Sequence, residues 1–531
     1  MTTTLELLKQ GKKDELWTKH CGYLDLSVDE FMEIQERLLF EQIEFLKTSE
    51  IGKKLFGDKV PTTIEEFCNS VNLTTYKDYH PYLKDRSAAS LPFEPFVWTH
   101  TTGSSGEYQW KWAPYTKRMY DHLGEGSLSA IIMSSCTKKG EVHIEPDDVL
   151  LLGTAPRPYM SGELTASVEE QFGATFVPSL KQGENMEFGE RINLGFSMAM
   201  LTGLDYFYGL ASILVRIGER FESGAGSVKF SPAMLRPNVL FRLLKGVLGA
   251  KFAKRKMLPK DIWKCKGILC GGTDTSIYRD KIKYYWGKEP LEGYASTEAG
   301  IIALQTYSFK AMTMLPHSNF FEFIPYDEHI KGKQNPEYTP KTVLFKDLKI
   351  GIYELVFTNL LGGVFTRYRV GDLIEVVSMR DEEIGIELPQ IQFFTRADNL
   401  LDLGNIARFT EKSIWHAMEV SGIKYVDWIA RKEEFNGEPD LHFYIELASD
   451  VENTEEELVK MVRDGLINTS SEFVDLENIS GKKYIKVTKL PKGAFARYIE
   501  EQRLAGADLA QMKPSHIQAP EKVISRLLQK G

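Results

Sequence analysis

The chain has 531 residues, more than one hydrophobic core can serve, and roughly two to four domains are expected. Hydrophobic residues make up 43% and aromatics 11%, which excludes a disordered chain. The net charge of -9, from 65 basic and 74 acidic residues, argues against a general nucleic-acid binder and leaves room for a local basic pocket.

Residues 1–85 read as helices. Between Val28 and Leu46, Phe31, Met32, Ile34, Leu38, Leu39, Ile43 and Leu46 recur at helical spacing among charges. Thr63 with Glu66 three residues on is a capping-box pattern, and Phe67 opens the apolar run behind it. These helices are expected to cover a larger domain. From about Pro92 to Arg396, short apolar runs such as Val149–Gly153 and Gly267–Cys270 end in glycine-rich turns and alternate with helical stretches. That is the pattern of an α/β domain with a largely parallel sheet. The Lys- and Arg-rich helical segment from Arg216 to Pro259 is either a surface for an anionic partner or, more commonly for such segments, a solvated helix face. Near residue 398 the texture changes. Leu441–Leu447 and Tyr484–Val487 read as strands, Thr454–Asn468 as a helix boxed by Glu457, and Glu521–Gln529 as a last helix. This order predicts a compact α+β domain over 398–531, behind a first domain over 1–397.

Three strings carry the candidate chemistry. In Thr101-Thr102-Gly103-Ser104-Ser105-Gly106, the glycines permit tight turns that aim backbone amides at a phosphate chain, and four hydroxyls add donors. Lys111 can add a charge. No Gly-Lys-Ser/Thr follows, so this is not a Walker loop, and a Ser/Gly loop by itself is also an ordinary surface turn. In Gly293-Tyr294-Ala295-Ser296-Thr297-Glu298, Tyr294 can stack on a purine and Ser296 or Thr297 can bond phosphate or carboxylate oxygens. Glu298 can hold Mg²⁺, a hard ion that prefers oxygen ligands; a loop with a solvated Glu is the plainer alternative. Gly271–Thr275, about twenty residues upstream by the reading of a strand C-terminus, sits where ligands bind in parallel sheets. In Tyr368-Arg369-Val370-Gly371-Asp372, a carboxylate held by a glycine turn can accept both hydroxyls of a ribose, with Arg367, Arg369 and Arg396 nearby. Asp372 can equally be a simple turn residue.

Other signals are weak. The five cysteines are scattered and odd in number, which argues against a disulfide framework; Cys265 and Cys270 read as buried hydrophobes rather than metal ligands. His100, beside Thr101, is the histidine best placed to touch a ligand, though a packed ring is commoner; His317 and His516 sit in segments of no clear chemistry. No uncharged run approaches the ~20 residues of a membrane span, and the first residues show no basic-then-apolar leader. The expectation is a soluble, cytoplasmic protein without nucleic-acid or membrane partners.

The order and content of the three strings resemble the adenylate-forming superfamily. Asn319–Pro325, the Val370 of the third string, Pro491–Phe495 and Gln511-Met512-Lys513-Pro514 resemble one branch of it. That branch is the acyl-acid amido synthetases, first known as auxin- and jasmonate-conjugating enzymes, with bacterial relatives. The resemblance implies an α/β fold with a large multilayer N-terminal domain, mainly parallel sheets and a smaller, mobile α+β C-terminal domain, with ATP in the cleft between the two. It implies that ATP and Mg²⁺ convert a carboxylic acid to acyl-AMP, whose acyl group passes to an amine such as an amino acid. A thiol acceptor, as in an acyl-CoA ligase, is the alternative, and a nucleotide-binding scaffold without chemistry the lesser one. By position, Thr101, Thr102 and Ser104 match the phosphate loop, Tyr294, Ala295, Ser296, Thr297 and Glu298 the nucleotide and metal segment, and Asp372 the ribose ligand. Arg396-Ala397-Asp398 resembles the hinge, and Lys513 a lysine that reaches the adenylate. Two departures stand out: Glu107–Trp110 separate the phosphate loop from Lys111, and Lys513 is followed by Pro514-Ser515-His516 rather than Pro-Arg. The acyl pocket is expected within residues 115–240 and beside Tyr294, with Arg118, Met119, Met160, Phe196 and Met198 as candidate lining. A monomer or weak homo-oligomer acting on small molecules completes the reading.

Overall fold

The computed structural model of the chain describes residues 3–101, 110–186, 188–223, 236–271, 275–335, 337–397, 400–403, 407–435, 438–480, 483–504 and 512–529. The chain forms two compact units. The larger runs through Thr101, from Trp110 to Val370 and from Ile374 to Phe393; the smaller takes Gly371–Leu373 and the chain from Phe394 onward.

In the larger unit, β1 (Val97–Thr101) and β2 (Lys111–Tyr115) pair antiparallel, with Thr101 opposite Lys111. A twelve-stranded sheet follows. Its first strands are β3 (Val149–Gly153), β4 (Thr175–Val177), β5 (Tyr206–Leu210), β6 (Gly267–Gly271) and β7 (Pro290–Ser296). Then come β8 (Gly300–Gln305), β9 (Met312–Met314), β10 (Asn319–Pro325), β11 (Val343–Leu344), β12 (Gly351–Asn359), β13 (Tyr368–Ser378) and β14 (Gln390–Arg396). The order across the sheet is β11-β10-β12-β13-β14-β9-β8-β7-β6-β5-β3-β4.

The first five strands are mutually parallel. Leu151, Phe207 and Ile268 from three of them join a core built round the stacked rings of Trp263 and Trp286, whose centroids are 5.7 Å apart. The α/β class holds, but the sheet is mixed. After Ser296 the chain turns straight back, so β8 pairs antiparallel with β7, and β9, β14, β10 and β12 continue with antiparallel pairings. A tight turn cannot make the long crossover a parallel neighbour needs.

Helices over the first 85 residues do cover this unit, and the helix Val28–Leu46 has the predicted bounds. Its Leu38, Leu39, Ile43 and Leu46 pack with Phe67 against Phe320 and Leu360 of the sheet side. Two buried amides on this helix bond sheet and loop backbone. Gln35 donates to the carbonyls of Pro316 (2.9 Å) and Asn319 and accepts from the Phe321 amide (3.0 Å). Gln42 donates to the Gly363 carbonyl (2.6 Å) and accepts from the Gly362 amide (2.8 Å). At the helix Ile64–Ser70, Thr63 caps as predicted, but Glu66 reaches back to the Thr62 amide (2.9 Å) instead.

The deepest tie is ionic. Arg367, just before β13, forms a two-pronged pair with Glu322 of β10 (2.6 and 3.0 Å), and both side chains are buried. Its third nitrogen donates to the carbonyls of Cys68 and Val71, at the end of the helix Ile64–Ser70.

The smaller unit is α+β. β15 (Leu401–Leu403) pairs with β16 (Ala407–Phe409), and β17 (Tyr425–Phe435), β18 (Glu438–Leu447) and β19 (Ile485–Lys489) form a three-stranded sheet. Trp428, Phe443 and Ile445 of that sheet pack on Leu458, Val462 and Leu466 of the helix Glu455–Thr469, which starts at the predicted Thr454–Glu457 box. Among the described residues no helix is long and apolar enough to cross a membrane.

Removing one partner of a buried ion pair leaves the other charged and unpaired, so Arg367→Met is expected to cost about 3–5 kcal/mol. The double variant Arg367→Met/Glu322→Leu is expected to recover part of that loss in urea unfolding. A double variant no more stable than the single one would show that the pair is not the source.

Candidate active site

The second motif ends β7 and turns into β8, and each backbone carbonyl of the turn has a side-chain donor. The Tyr115 hydroxyl donates to Thr297 (2.8 Å), Asn359 Nδ2 to Glu298 (2.9 Å) and Asn319 Nδ2 to Ala299 (3.0 Å). The Ala299 amide donates to Ser296 Oγ (3.1 Å). Asn319 and Asn359 face each other across β10 and β12, and the Asn359 amide donates to the Asn319 side-chain oxygen at 3.0 Å. Gly300 leaves the turn at φ +71°, a conformation costly for other residues.

Glu298 is buried. Its carboxylate accepts from the Tyr368 hydroxyl at 3.1 Å, and among the described residues no Lys, Arg or His pairs with it. Burial, then the charge of Glu298, hold the Tyr368 hydroxyl well above its ordinary pKa, so it stays a donor. A buried carboxylate with one neutral donor suits a hard divalent cation, which is commonly held by one or two carboxylates plus phosphates. No group of three or more candidate metal ligands occurs among the described residues, so such an ion would take its other oxygens from substrate or water. Tyr294 is buried too, its ring centroid 5.7 Å from that of Phe393.

A mainly apolar pocket runs along the same strand, enclosing about 600 Å³ of empty space when its open mouth is included. Leu291, Gly293 and Ala295 of β7 line it, with Ala130 and Ile131 of the helix Lys117–Ser135 and Leu164 and Val168 of the helix Met160–Phe172. Part of its lining falls in the expected stretch and beside Tyr294, while Leu269, Cys270, Gly271, Ile301 and Leu304 lie outside it, and none of Arg118, Met119, Met160, Phe196 and Met198 lines it. Phe196 and Met198 pack instead against the core of the two stacked tryptophans, and Arg118 is exposed. Bulky residues fill space; the signal was the small ones at every second position of β7, which share one face.

Glu163, on the helix Met160–Phe172, was not foreseen. It is buried, its Oε2 has no hydrogen-bond partner among the described residues, and burial, with Glu170 and Glu184 adding against Arg157, pushes its carboxyl up to about 7.

Thr101 ends β1, and Thr102 and Ser104 lie outside the described residues, as do Gly272–Asp274 and Asp398. The Lys111 ammonium sits over the Tyr76 ring, 5.5 Å from its centroid. His100 is packed among Trp110, Trp112 and Tyr159, and burial lowers it to about 4, so the ring is neutral. In the smaller unit, Asp372 follows Gly371 (φ +79°) and faces Arg396 at 3.7 Å, and the Ala397 amide donates to the Gly371 carbonyl. The structure thus joins the second motif to Tyr368 of the third, and Asp372 to Arg396.

Lys513 stands beside a network that the sequence did not reveal. Its ammonium lies 3.3 Å from Asp427 Oδ2. His516 donates from one ring nitrogen to Asp427 (2.7 Å) and from the other to Glu411 (2.6 Å), and stacks on Trp428. Burial opposes its charge, but hydrogen bonds to the two carboxylates, and their charges, carry it up to about 9. Burial likewise opposes the charge on Asp427, and His516 and Lys513 together hold that carboxyl below its ordinary value. The backbone of this segment is also fixed: Ala430 of β17 donates to the His516 carbonyl (2.7 Å) and accepts from the Gln518 amide (3.0 Å).

Residues 23–169 match the GH3 family N-terminal domain and residues 312–396 the GH3 family central domain. It is homologous to the jasmonoyl–L-amino acid synthetase JAR4 of Nicotiana attenuata, at 27% identity over 278 residues. That alignment covers 48% of this chain and 44% of the relative, so the chain spans less than half the length of this curated relative. In fold it is similar to the AtGH3.15 acyl acid amido synthetase in complex with 2,4-DB, with TM-score 0.63, 16% identity and coverage of 98% of this chain and 95% of that one. It is also similar to a 2-hydroxyisobutyryl-CoA ligase in the postadenylation state, in complex with 2-HIB-AMP, with TM-score 0.59, 12% identity and coverage of 94% and 92%. The likeness to these two enzymes is one of fold.

The His516 network gives a pH dependence of known sign. The fold raises the His516 pKa from its ordinary 6.5 to about 9, so its stabilisation is complete below about 6.5 and is lost as pH rises through about 9. His516→Gln is expected to lower the melting temperature clearly at pH 6, with the gap from wild type closing by pH 10. A gap that stays constant with pH would show that His516 is not held as a cation.

Proposed function

We propose that the chain activates a carboxylic acid with ATP as an acyl-adenylate and passes the acyl group to an amine, most simply an amino acid. One observation carries the reading: on a single strand end, Ala295 lines an apolar pocket, and three residues on stands the buried carboxylate of Glu298, whose hydrogen-bond partner among the described residues is the Tyr368 phenol. The curated relatives are amino-acid-conjugating synthetases, and the fold of adenylate-forming ligases agrees with the reading.

In the first half-reaction, a carboxylate oxygen of the acid bonds to the α-phosphorus of ATP, the bond to the bridging oxygen breaks, and pyrophosphate leaves. The chain's task is to position the two anions and neutralise their charge. The cavity holds the organic part of the acid. Glu298 is the residue to hold Mg²⁺, which supplies charge neutralisation to the phosphates when bound. Ser296, Thr297, Thr101, Thr102 and Ser104 are the phosphate donors in this reading, Tyr294 the base-side ring, and Asp372 with Arg396 the ribose side. In the second half-reaction, the amine nitrogen bonds to the acyl carbon, the bond from that carbon to the bridging oxygen breaks, AMP leaves with the oxygen, and the amine sheds a proton. Lys513, at the end of the mobile domain over 398–531, acts on the charge of the adenylate. The setting is cytoplasmic.

Acid-dependent ATP–pyrophosphate exchange, over aryl, indolyl and fatty acids with Mg²⁺, is the test. Exchange is expected with at least one class, and amide formation on adding amino acids but not coenzyme A. Removing a group that neutralises transition-state charge typically costs about 10²–10³ in rate, and Glu298→Gln is expected to lose that much. Tight ATP binding without exchange for any acid would overturn the reading.

Ala130→Leu narrows the cavity without touching the turn. KM for the largest accepted acid is expected to rise on the order of tenfold or more, with a small acid much less affected. An equal effect on acids of every size would remove the cavity from the acyl site.

A further inference from the structure

The helix Pro237–Phe252 faces solvent with its apolar side. Leu240, Phe241, Leu244, Val247, Leu248 and Phe252 are all exposed, Phe241 at 70% and Phe252 at 86%. These six are among only fifteen exposed large hydrophobic residues described in the whole chain, so they form a patch rather than the usual scatter. At 100° per residue they fall within one arc of the helix. The opposite side holds the helix to the protein: Val239 and Ala250 are buried, and Arg242 donates to the carbonyls of Met200 and Leu201. A Cβ at Gly246 would meet the Asp261 carbonyl at 3.1 Å, so the helix lies close on the segment behind it.

Charge is concentrated in the same place. From Arg236 to Lys264 there are nine Lys and Arg and one acid, Asp261, in a chain whose net charge is -9. Asp261 is engaged by Arg255 at 2.6 Å. Arg236, Lys245, Lys251, Lys254 and Lys256 remain exposed around the apolar face.

We propose that this helix is a docking surface for anionic lipid, by which the protein binds a membrane peripherally. A helix with phenylalanine and leucine on one side and lysine at its margins lies in the interface, apolar face among the acyl chains and ammonium groups at the phosphates. Its sixteen residues give about 24 Å at 1.5 Å per residue, short of the ~30 Å hydrocarbon core, so it lies on a membrane and does not cross it. A second copy of the chain fits less well, because a two-fold contact would press two such cationic clusters together. A nucleic acid would meet the lysines and leave the phenylalanines in water. The inference is independent of the acyl chemistry.

Co-sedimentation of the full chain with vesicles tests it. Binding is expected to vesicles of phosphatidylcholine with phosphatidylglycerol, weakening as salt rises, and to be much weaker with phosphatidylcholine alone. Phe241→Ser/Leu244→Ser/Leu248→Ser is expected to abolish binding, and Lys245→Glu/Lys251→Glu/Lys254→Glu to weaken it on the order of fivefold or more per charge. Circular dichroism and thermal melting matching the wild type are expected for both variants and show that they fold. No binding of the wild type to anionic vesicles at low salt would overturn the proposal. So would binding that survives the serine substitutions, or a dimer in sedimentation velocity that those substitutions dissolve.

Discussion

The buried pair of Arg367 and Glu322 is the interaction on which the candidate site depends. Arg367 sits immediately before β13 at φ +45°, a left-handed conformation that costs a non-glycine residue energy and persists only where surroundings fix it. Here they do. Glu322 takes two of its donors, and the carbonyls of Cys68 and Val71 take the third nitrogen. Thr74 straps the backbone on either side, accepting from the Arg369 amide (2.8 Å) and donating its own amide to the Arg367 carbonyl (2.9 Å). The next residue is Tyr368, whose hydroxyl reaches Glu298. A line of direct contacts therefore runs from the N-terminal helices, through one guanidinium, to the carboxylate at the end of β7. A buried ion pair is weak evidence for net stability, since both charges lose their water.

The turn bearing Glu298 obeys the same logic with neutral groups. Asn319 and Asn359 are buried, and each spends its amide on turn carbonyls that would otherwise face an apolar interior. Gln35 in turn holds the start of β10, where Asn319 lies. A fully satisfied polar network is stiff, because any shift breaks several bonds at once. Against that stiffness, Glu298 stands out: its backbone carbonyl is held by Asn359, while among the described residues its carboxylate takes a hydrogen bond from Tyr368 and no ion pair. A site that neutralises charge on a transferring group needs its donors and ligands fixed beforehand, and this arrangement provides that.

Local pattern made much of the fold legible. The helix Val28–Leu46, the runs that became β3 and β6, and the Thr454–Glu457 box each depend on residues a few positions apart. The three motifs were legible as strings for the same reason. What escaped was contact across long stretches of chain. Gln35 and Phe321 are 286 positions apart, and Arg367 and Cys68 are 299 apart. No periodicity links such residues, and a lone Gln in a helix looks like any solvated one. The cavity escaped for a different reason. Reading for a pocket by large apolar residues finds the core, whereas the cavity lies where Gly293 and Ala295 leave room. The change to antiparallel pairing after Ser296 was hidden because buried strands of either kind carry the same residues.

The departure after Lys513 also has a physical account. The resemblance led to an expected Pro-Arg, and the chain has Pro514-Ser515-His516. Yet a cation is retained. His516 lies between Glu411 and Asp427, donates to both, and is held protonated by them. Two facing carboxylates with no cation between them would repel in a poorly solvated place. The imidazolium removes that repulsion, and Asp427 keeps its second oxygen for Lys513. A histidine in this place differs from an arginine in one respect: it can lose its proton within reach of ordinary alkaline pH. The Lys513 segment of this chain is therefore tied to the sheet by a charge that titrates, where a guanidinium would hold at any pH.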